Sequence, residues 1–250
     1  MITITSKNNE IITSTKKLHD KKYRRLRNEC LIEGEKLINE AINSNVKIKS
    51  IFSCDENKLK EFNNNKYQLF LVNENIIKFL STNPSPQNIV AVIDTKSQFV
   101  SNSNQILILD NLQNPDNFGS IIRTALATNF NKIYTINCVD KYNEKVLRAS
   151  MGTIFRCEII ETDYQYVLDL SKKYDLYYAD MLGENIFNID AFNKNIGIVI
   201  GNEGNGISKE IRSILSNKIS IPMENNVESL NATVAGSVIM YQMYSKLNKK

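Results

Sequence analysis

Apolar positions in the first hundred residues alternate between short β-rich runs and stretches with helical spacing. CLIEG (30–34), IKSIFSC (48–54), YQLFLV (67–72) and NIVAVID (88–94) read as strands. EKLINEAINS (35–44), ENKLKEF (56–62) and ENIIKFL (74–80) read as short helices between them. The pattern predicts a small α/β module. STNPSPQ (81–87) holds two prolines and marks an irregular connection. The polar, Ser- and Asn-rich TKSQFVSNSNQ (95–105) reads as a linker, so a first domain is expected over 1–97, a linker over 98–105 and a second domain over 106–250.

In the second half the alternation is clearer. QILILD (105–110) is a continuous apolar run, as expected of a strand buried on both faces. NKIYTIN, RCEIIET, YDLYYAD, IGIVIGN and NKISIPM are further strands, and 117–130, 143–150, 164–173 and 207–216 have helical patterns. Repeated βα units predict a mostly parallel sheet covered by helices, with ligands at the carboxyl ends of its strands. The chain ends in a helical pattern whose apolar stripe is read as Leu230, Val234, Val238 and Tyr241.

Composition narrows the function. With 42% apolar and 23% charged residues the chain is that of a globular protein. No apolar run approaches the ~20 residues that cross a bilayer. The N-terminal residues include no apolar signal core, so a cytoplasmic location is expected. Cys30, Cys54, Cys138 and Cys157 lie far apart without metal-ligand spacing and read as reduced thiols serving as small hydrophobes. No metal site is expected. His19 is the single histidine and lies in a basic stretch, which argues against a buried Ser-His-Asp triad.

Charge is uneven. Residues 1–100 hold 16 Lys/Arg against 11 Asp/Glu, and the excess peaks at 16–27, where seven basic residues accompany one acid. This is either an arm that binds a polyanion or a solvated helix face.

Three loops carry candidate chemistry. In LDNLQNPDNFGSIIRTA (109–125) a strand breaks at Asn114-Pro115-Asp116, and a helix follows with Asp116 or Asn117 as its cap. Arg123 lies off that helix's apolar stripe and, taken alone, reads as a surface arginine. IVIGNEGNGIS (198–208) runs a strand into three glycines, which permits close approach of a ligand to the backbone or marks a tight turn. The spacing is neither a dinucleotide fingerprint nor a phosphate loop. In ISIPMENNVESLNATVAG (219–236) a strand ends at Pro222, and Ser229 or Asn231 opens the last helix.

Together, in this order, the loops resemble the three signature motifs of the SpoU/TrmH family of RNA ribose 2′-O-methyltransferases. Asn117, Gly119 and Arg123-Thr124-Ala125 match the first motif. Gly201, Glu203 and Gly206 match the second, and Ile221-Pro222-Met223 with Ser229-Leu230-Asn231 match the third. LRASMGTIF (147–155) resembles the family's intervening segment. KYRRLRNECLIEGEKLINEAI and PQNIVAVI resemble an L30e-like RNA-binding domain. Asn225 stands where the third motif usually has Gly, Ala232-Thr233 replaces a common Val-Ser, and Asn88 stands where Gly is frequent.

The resemblance implies a trefoil-knotted α/β domain of the SPOUT superfamily and S-adenosylmethionine as methyl donor. Gly201, Asn202, Ile221, Met223, Leu230 and Asn231 would contact the cofactor. Asn117, Arg123, Glu203, Ser229 and Asn231 would form the catalytic set. Within it Glu203 shapes the pocket or orients an amide, and Arg123 holds a phosphate and polarises the hydroxyl, since an arginine does not readily lose a proton. Lys21, Lys22, Arg24, Arg25 and Arg27, with Arg123, would bind RNA. A homodimer is implied in which one subunit's Arg123 can serve the other's cofactor. Ribosomal RNA is favoured over tRNA, and the rival reading is a non-catalytic ribosome-assembly factor on the same fold.

Overall fold

Eleven strands and ten α-helices form among the residues that the computed structural model describes, namely 1–62, 66–96, 99–224, 227 and 229–248. Gln98, which opens the expected linker, and Asn225 lie outside them. The chain divides into two units, Met1–Phe99 with Tyr142–Arg148, and Val100–Lys141 with Ala149–Lys250.

The first unit contains β1 (Ile2–Ile4), α1 (Glu10–Lys16), α2 (Lys21–Arg27), β2 (Glu29–Glu33), α3 (Glu35–Asn43), β3 (Ile48–Ser53), α4 (Glu56–Glu61), β4 (Gln68–Val72), α5 (Glu74–Leu80) and β5 (Ile89–Asp94). Its sheet runs β1-β4-β3-β5-β2. β4 is parallel to β1 and β3, whereas β5 is antiparallel to β2 and β3. The four strands read from the sequence are present. β1 was not anticipated, because three residues are too few for alternation to stand out. Phe52 and Phe70 stack on neighbouring strands with centroids 4.8 Å apart, inside a core completed by Ile12, Leu18, Ile76 and Leu80.

The second unit contains β6 (Gln105–Asp110), α6 (Pro115–Ala127), β7 (Lys132–Ile136), α7 (Glu144–Ser150, whose first residues fall in the first unit), β8 (Glu158–Glu161), α8 (Tyr164–Ser171), β9 (Asp175–Asn185), β10 (Ile196–Ile200), α9 (Lys209–Ile214), β11 (Lys218–Ser220) and α10 (Ala232–Leu247). The sheet order is β11-β9-β10-β6-β7-β8, and every pairing is parallel. β6 and β10 lie at its centre and are buried along almost their whole length, which explains their continuous apolar sequences. Ile106, Ile108 and Val199 face α8 and α9 in one core. By alternation Leu107, Leu109, Ile198 and Ile200 face the other side, where α6 and α10 pack.

Local chemistry sets the helix starts. Asn114, not Asp116 or Asn117, caps α6: its Oδ1 accepts from the N–H groups of Asp116 and Asn117 at 2.9 and 3.2 Å. Pro115 then takes the first helical position, where its missing N–H costs nothing. Asn231 caps α10 through Thr233 and Val234 N–H. Such a cap stabilises a helix by about 1 kcal/mol.

Two expectations need correction. The apolar stripe expected on α10 is not its buried face: Val234 and Tyr241 are 49% and 53% exposed, while Ala232, Gly236, Ile239, Met240 and Met243 are buried. β9 also runs beyond its expected end at Asp180. Its pairing with β11 jumps from Tyr178 opposite Lys218 to Glu184 opposite Ile219, so residues 179–183 bulge from the ladder.

Candidate functional site

The glycine loop after β10 begins at Gly201, where a Cβ would lie 2.4 Å from the carbonyl carbon and oxygen of Gly206. Only glycine allows the two ends of the loop to come this close. A two-way bridge then closes it: Asn202 N–H donates to Gly206 O and Gly206 N–H to Asn202 O, each at 2.9 Å. Gly206 itself has φ +64°. The Asn202 side chain fastens the turn from both ends of its amide. Oδ1 accepts from Gly204 and Asn205 N–H, and Nδ2 donates to Asn111 O at 2.9 Å.

This loop forms one wall of a cavity of about 520 Å³ at the carboxyl ends of β9, β10 and β11. Its lining includes Gly201, Asn202, Glu203, Ile221, Met223, Ser229 and Leu230 from the sequence-derived set, with small or apolar side chains at Ala179, Ala235 and Ile239. The volume falls within the ~300–1,000 Å³ of small-molecule sites. Backbone at the glycine turn, apolar walls and few charges suit a flat heterocycle joined to a polar chain.

Beside the cavity a chain of hydrogen bonds joins the three loops. Asn117 Nδ2 donates to Glu203 Oε1 at 2.9 Å, and Asn117 Oδ1 accepts from Asn231 Nδ2 at 3.1 Å. Thr233 Oγ1 lies 3.1 Å from Asn117 O and 3.3 Å from Asn117 Oδ1. With Asn231 Oδ1 engaged as the helix cap, each amide nitrogen meets an acceptor and each amide oxygen a donor, so the orientation of both amides is determined. The structure therefore brings Asn117, Glu203 and Asn231 together. Asn117 and Asn231 stand at the cavity's margin rather than among its lining residues.

Arg123 is placed apart from them. Six residues beyond Asn117, it lies ~9 Å further along α6 and on a different face. It is exposed, does not line the cavity and has no ion-pair partner among the described residues.

Two contributors were not read from the sequence. The bulge supplies Ala179–Leu182 to the cavity, and α9 supplies Arg212. Arg212 bonds the Asp180 carboxylate, lies 5.7 Å from the Tyr178 ring centroid and donates to Ile207 O. Burial by itself would raise the Asp180 carboxyl, but Leu182 N–H and the Arg212 guanidinium outweigh it and hold it below its ordinary value. No sequence spacing marks this pair, because the bulge that presents Asp180 depends on pairing with β11.

The basic cluster of the first unit is only partly available to a ligand. Arg24 is buried, and its guanidinium donates to Leu18 O and His19 O at 2.9 and 2.7 Å. Arg27 bonds Ser14 and Glu29. Both were expected on RNA; the buried Arg24 is occupied within the fold, while Arg27 stays half-buried alongside these contacts. Lys21, Lys22 and Arg25 are exposed. None of the four cysteines is in a disulfide, and burial pushes Cys138 and Cys157 up to about 12, so these two stay protonated. Among the described residues no group of three or more His, Cys, Asp or Glu could hold a metal ion, and no helix is long and apolar enough to cross a membrane.

Residues 104–241, holding all three loops, match the SpoU rRNA Methylase family. The chain belongs to that family. Residues 9–91 match the MRM3-like substrate binding domain. Among its relatives, the 23S rRNA (guanosine(2553)-2′-O)-methyltransferase RlmP of Bacillus subtilis is 28% identical over 96% of this chain and 98% of its own. An S-adenosylmethionine-bound rRNA methyltransferase from Sinorhizobium meliloti has the same fold, with a TM-score of 0.86 and 22% identity over 99% of this chain and 98% of the other. The SpoU methyltransferase AviRb of Streptomyces viridochromogenes, in complex with the same cofactor, superposes equally well (TM-score 0.86, 21% identity, 97% of this chain and 100% of the other).

Proposed function

We propose that this SpoU-family chain transfers a methyl group from S-adenosylmethionine to a ribose 2′-hydroxyl of large-subunit ribosomal RNA. The observation that carries the reading is the cavity walled by the glycine turn, with the Glu203–Asn117–Asn231 chain at its margin. When bound, S-adenosylmethionine supplies a methyl group made electrophilic by its sulfonium. The backbone at Gly201 and Ile221, with Asn202, Met223 and Leu230, holds it against the apolar wall. Asn117 and Asn231 keep the hydroxyl side of the site polar, while Ser229 offers a further hydrogen bond. Arg123 grips the adjacent phosphate and polarises the hydroxyl, acting by charge and geometry rather than as a base. Ribosomal RNA is favoured over tRNA because the likeness to the Bacillus subtilis enzyme spans nearly all of both chains.

Knotting, pairing and the role of the first unit follow the same reading. The second unit forms a trefoil knot, and two copies pair through it. Support for pairing comes from the exposed apolar residues Val234, Tyr241 and Tyr244 on α10. The position of Arg123 outside its own chain's cavity also favours a site completed by a partner. The first unit forms an L30e-like RNA-binding domain over about 1–97, with Lys21, Lys22 and Arg25 on phosphates. Tyr23, which already carries the Lys17 ammonium 5.6 Å from its ring centroid, is suited to unpaired bases. A cytoplasmic location accords with such a substrate.

Transfer of labelled methyl from S-adenosylmethionine to unmodified ribosomal RNA, by wild type and Arg123→Ala, tests the proposal. Incorporation by wild type, reduced at least a hundredfold in the variant, is expected. No cofactor binding, with no transfer to RNA or to ribosomal particles, would point to an assembly factor.

A further inference from the structure

Asp110 ends β6 with its side chain fully buried, yet it does not line the cavity or join the hydrogen-bond chain beside it. A carboxylate removed from water must be repaid in hydrogen bonds, and three donors surround this one. Ser208 N–H approaches Oδ2 at 2.7 Å, while Asn111 Nδ2 and the Tyr164 hydroxyl approach Oδ1 at 2.7 and 3.2 Å. Asn111 Nδ2 also lies 3.0 Å from the Tyr164 oxygen, which closes a small ring of polar groups.

The position of these donors in the chain gives the carboxylate its role. Ser208 is where the glycine loop ends, and it caps α9 by accepting from Ile211 N–H. Asn111, the next residue after Asp110, adopts a left-handed backbone (φ 56°) and offers its carbonyl to Asn202, where the loop begins. The Asp110-Asn111 pair thus holds both ends of the cofactor loop. It also precedes the turn into α6, the helix that carries Asn117 and Arg123. This pair, a buried carboxylate and a half-buried asparagine, ties the wall of the cavity to the strand that leads into α6.

We infer that Asp110 is a positioning residue for the cofactor, acting through Ser208 and Asn111 on the 201–208 loop. The inference rests on the reading of the cavity as the S-adenosylmethionine site. Asp110→Asn keeps the size of the side chain but removes its charge. Its amide must also place a donor against either Ser208 N–H or Asn111 Nδ2. The loop then loses one charge-assisted hydrogen bond at its root, which corresponds to ~10-fold weaker cofactor binding.

Isothermal titration of wild type and variant with S-adenosylmethionine tests this, alongside kcat for RNA at saturating cofactor. The dissociation constant is expected to rise ~10-fold while kcat at saturation falls less than threefold. Ile159→Ala, on edge strand β8 at the far side of the sheet, serves as a control whose loss of thermal stability is of the same kind. It should leave cofactor affinity within twofold of wild type, which a general loosening of the fold would not. If Asp110→Asn does not fold, Tyr164→Phe removes one of the three donors and keeps the ring, and ~3-fold weaker binding is expected. Folded variants that bind as tightly as wild type would overturn the inference alone. A wild type without affinity would overturn the cofactor reading, and this inference with it.

Discussion

Replacing Gly201 by alanine probes the tightest point of the cavity wall. The added methyl would sit 2.4 Å from the Gly206 carbonyl and 2.7 Å from Ile207 N. Ordinary carbon contacts lie near 3.5–4.0 Å, so something must move by about 1 Å. The obstructing atoms are backbone, and they are tied to Asn202 by both hydrogen bonds of the bridge. Relief therefore requires opening the bridge, at about 1 kcal/mol for each bond, or about 2 kcal/mol in all. If the loop must re-form to bind the cofactor, that corresponds to ~30-fold in affinity. Because the loop lies at the surface beyond β10, the core should remain intact. Calorimetric titration with S-adenosylmethionine and a thermal melt measure the two effects separately. The expected outcome is ~30-fold weaker binding with a melting temperature lowered by only a few degrees. Affinity within twofold of wild type would refute the claim that this close approach shapes the cofactor wall.

Further predictions address single contacts. Thr233→Val keeps the shape of its side chain but withdraws the hydroxyl from Asn117, and kcat/KM should fall about fivefold, equivalent to about 1 kcal/mol; Thr233→Ser should restore it, and a Val variant with wild-type kinetics would remove Thr233 from the site. Arg24→Ala should cost ~3 kcal/mol of stability in urea unfolding, through loss of two buried charge-assisted bonds. Lys21→Gln and Lys22→Gln should leave stability unchanged and each lower the salt slope of RNA binding by about 0.7. Asp180, depressed by Leu182 N–H and Arg212, contributes stability that is complete above the ordinary carboxylate value near ~4 and is lost as pH falls through its lower folded value. The melting-temperature gap between wild type and Asp180→Asn should therefore narrow steadily below about pH 4, and a gap that widened on acidification would contradict the sign.

Much of this architecture was legible from local sequence. Continuous apolar runs at 105–110 and 196–200 identified the strands buried on both faces, and the glycine and asparagine patterns located the loops at their ends. The resemblance to the family's motifs singled out Asn117, Glu203 and Asn231, which the fold joins into one hydrogen-bonded chain. What escaped depends on pairing, packing and turn geometry that residue patterns do not encode. The 179–183 bulge exists because β11 pairs with β9 out of step. The buried face of α10 was hard to read, because its exposed side mixes Val234, Tyr241 and Tyr244 with serine and glutamine and no charge appears before Lys246, which leaves little contrast between the faces. Arg24 carries the same charge as Lys21 and Lys22. Only the turn before α2, which presents the Leu18 and His19 carbonyls, sets it apart.

The most direct test of the central claim is to map where the transferred methyl resides. Unmodified ribosomal RNA and tRNA, labelled in parallel by the wild-type protein, would be digested and analysed for resistance to alkaline cleavage. The account predicts label in ribosomal RNA at one nucleotide, with the adjoining phosphodiester resistant because its 2′-oxygen is capped. Label on a base, with the backbone still cleavable, would contradict it.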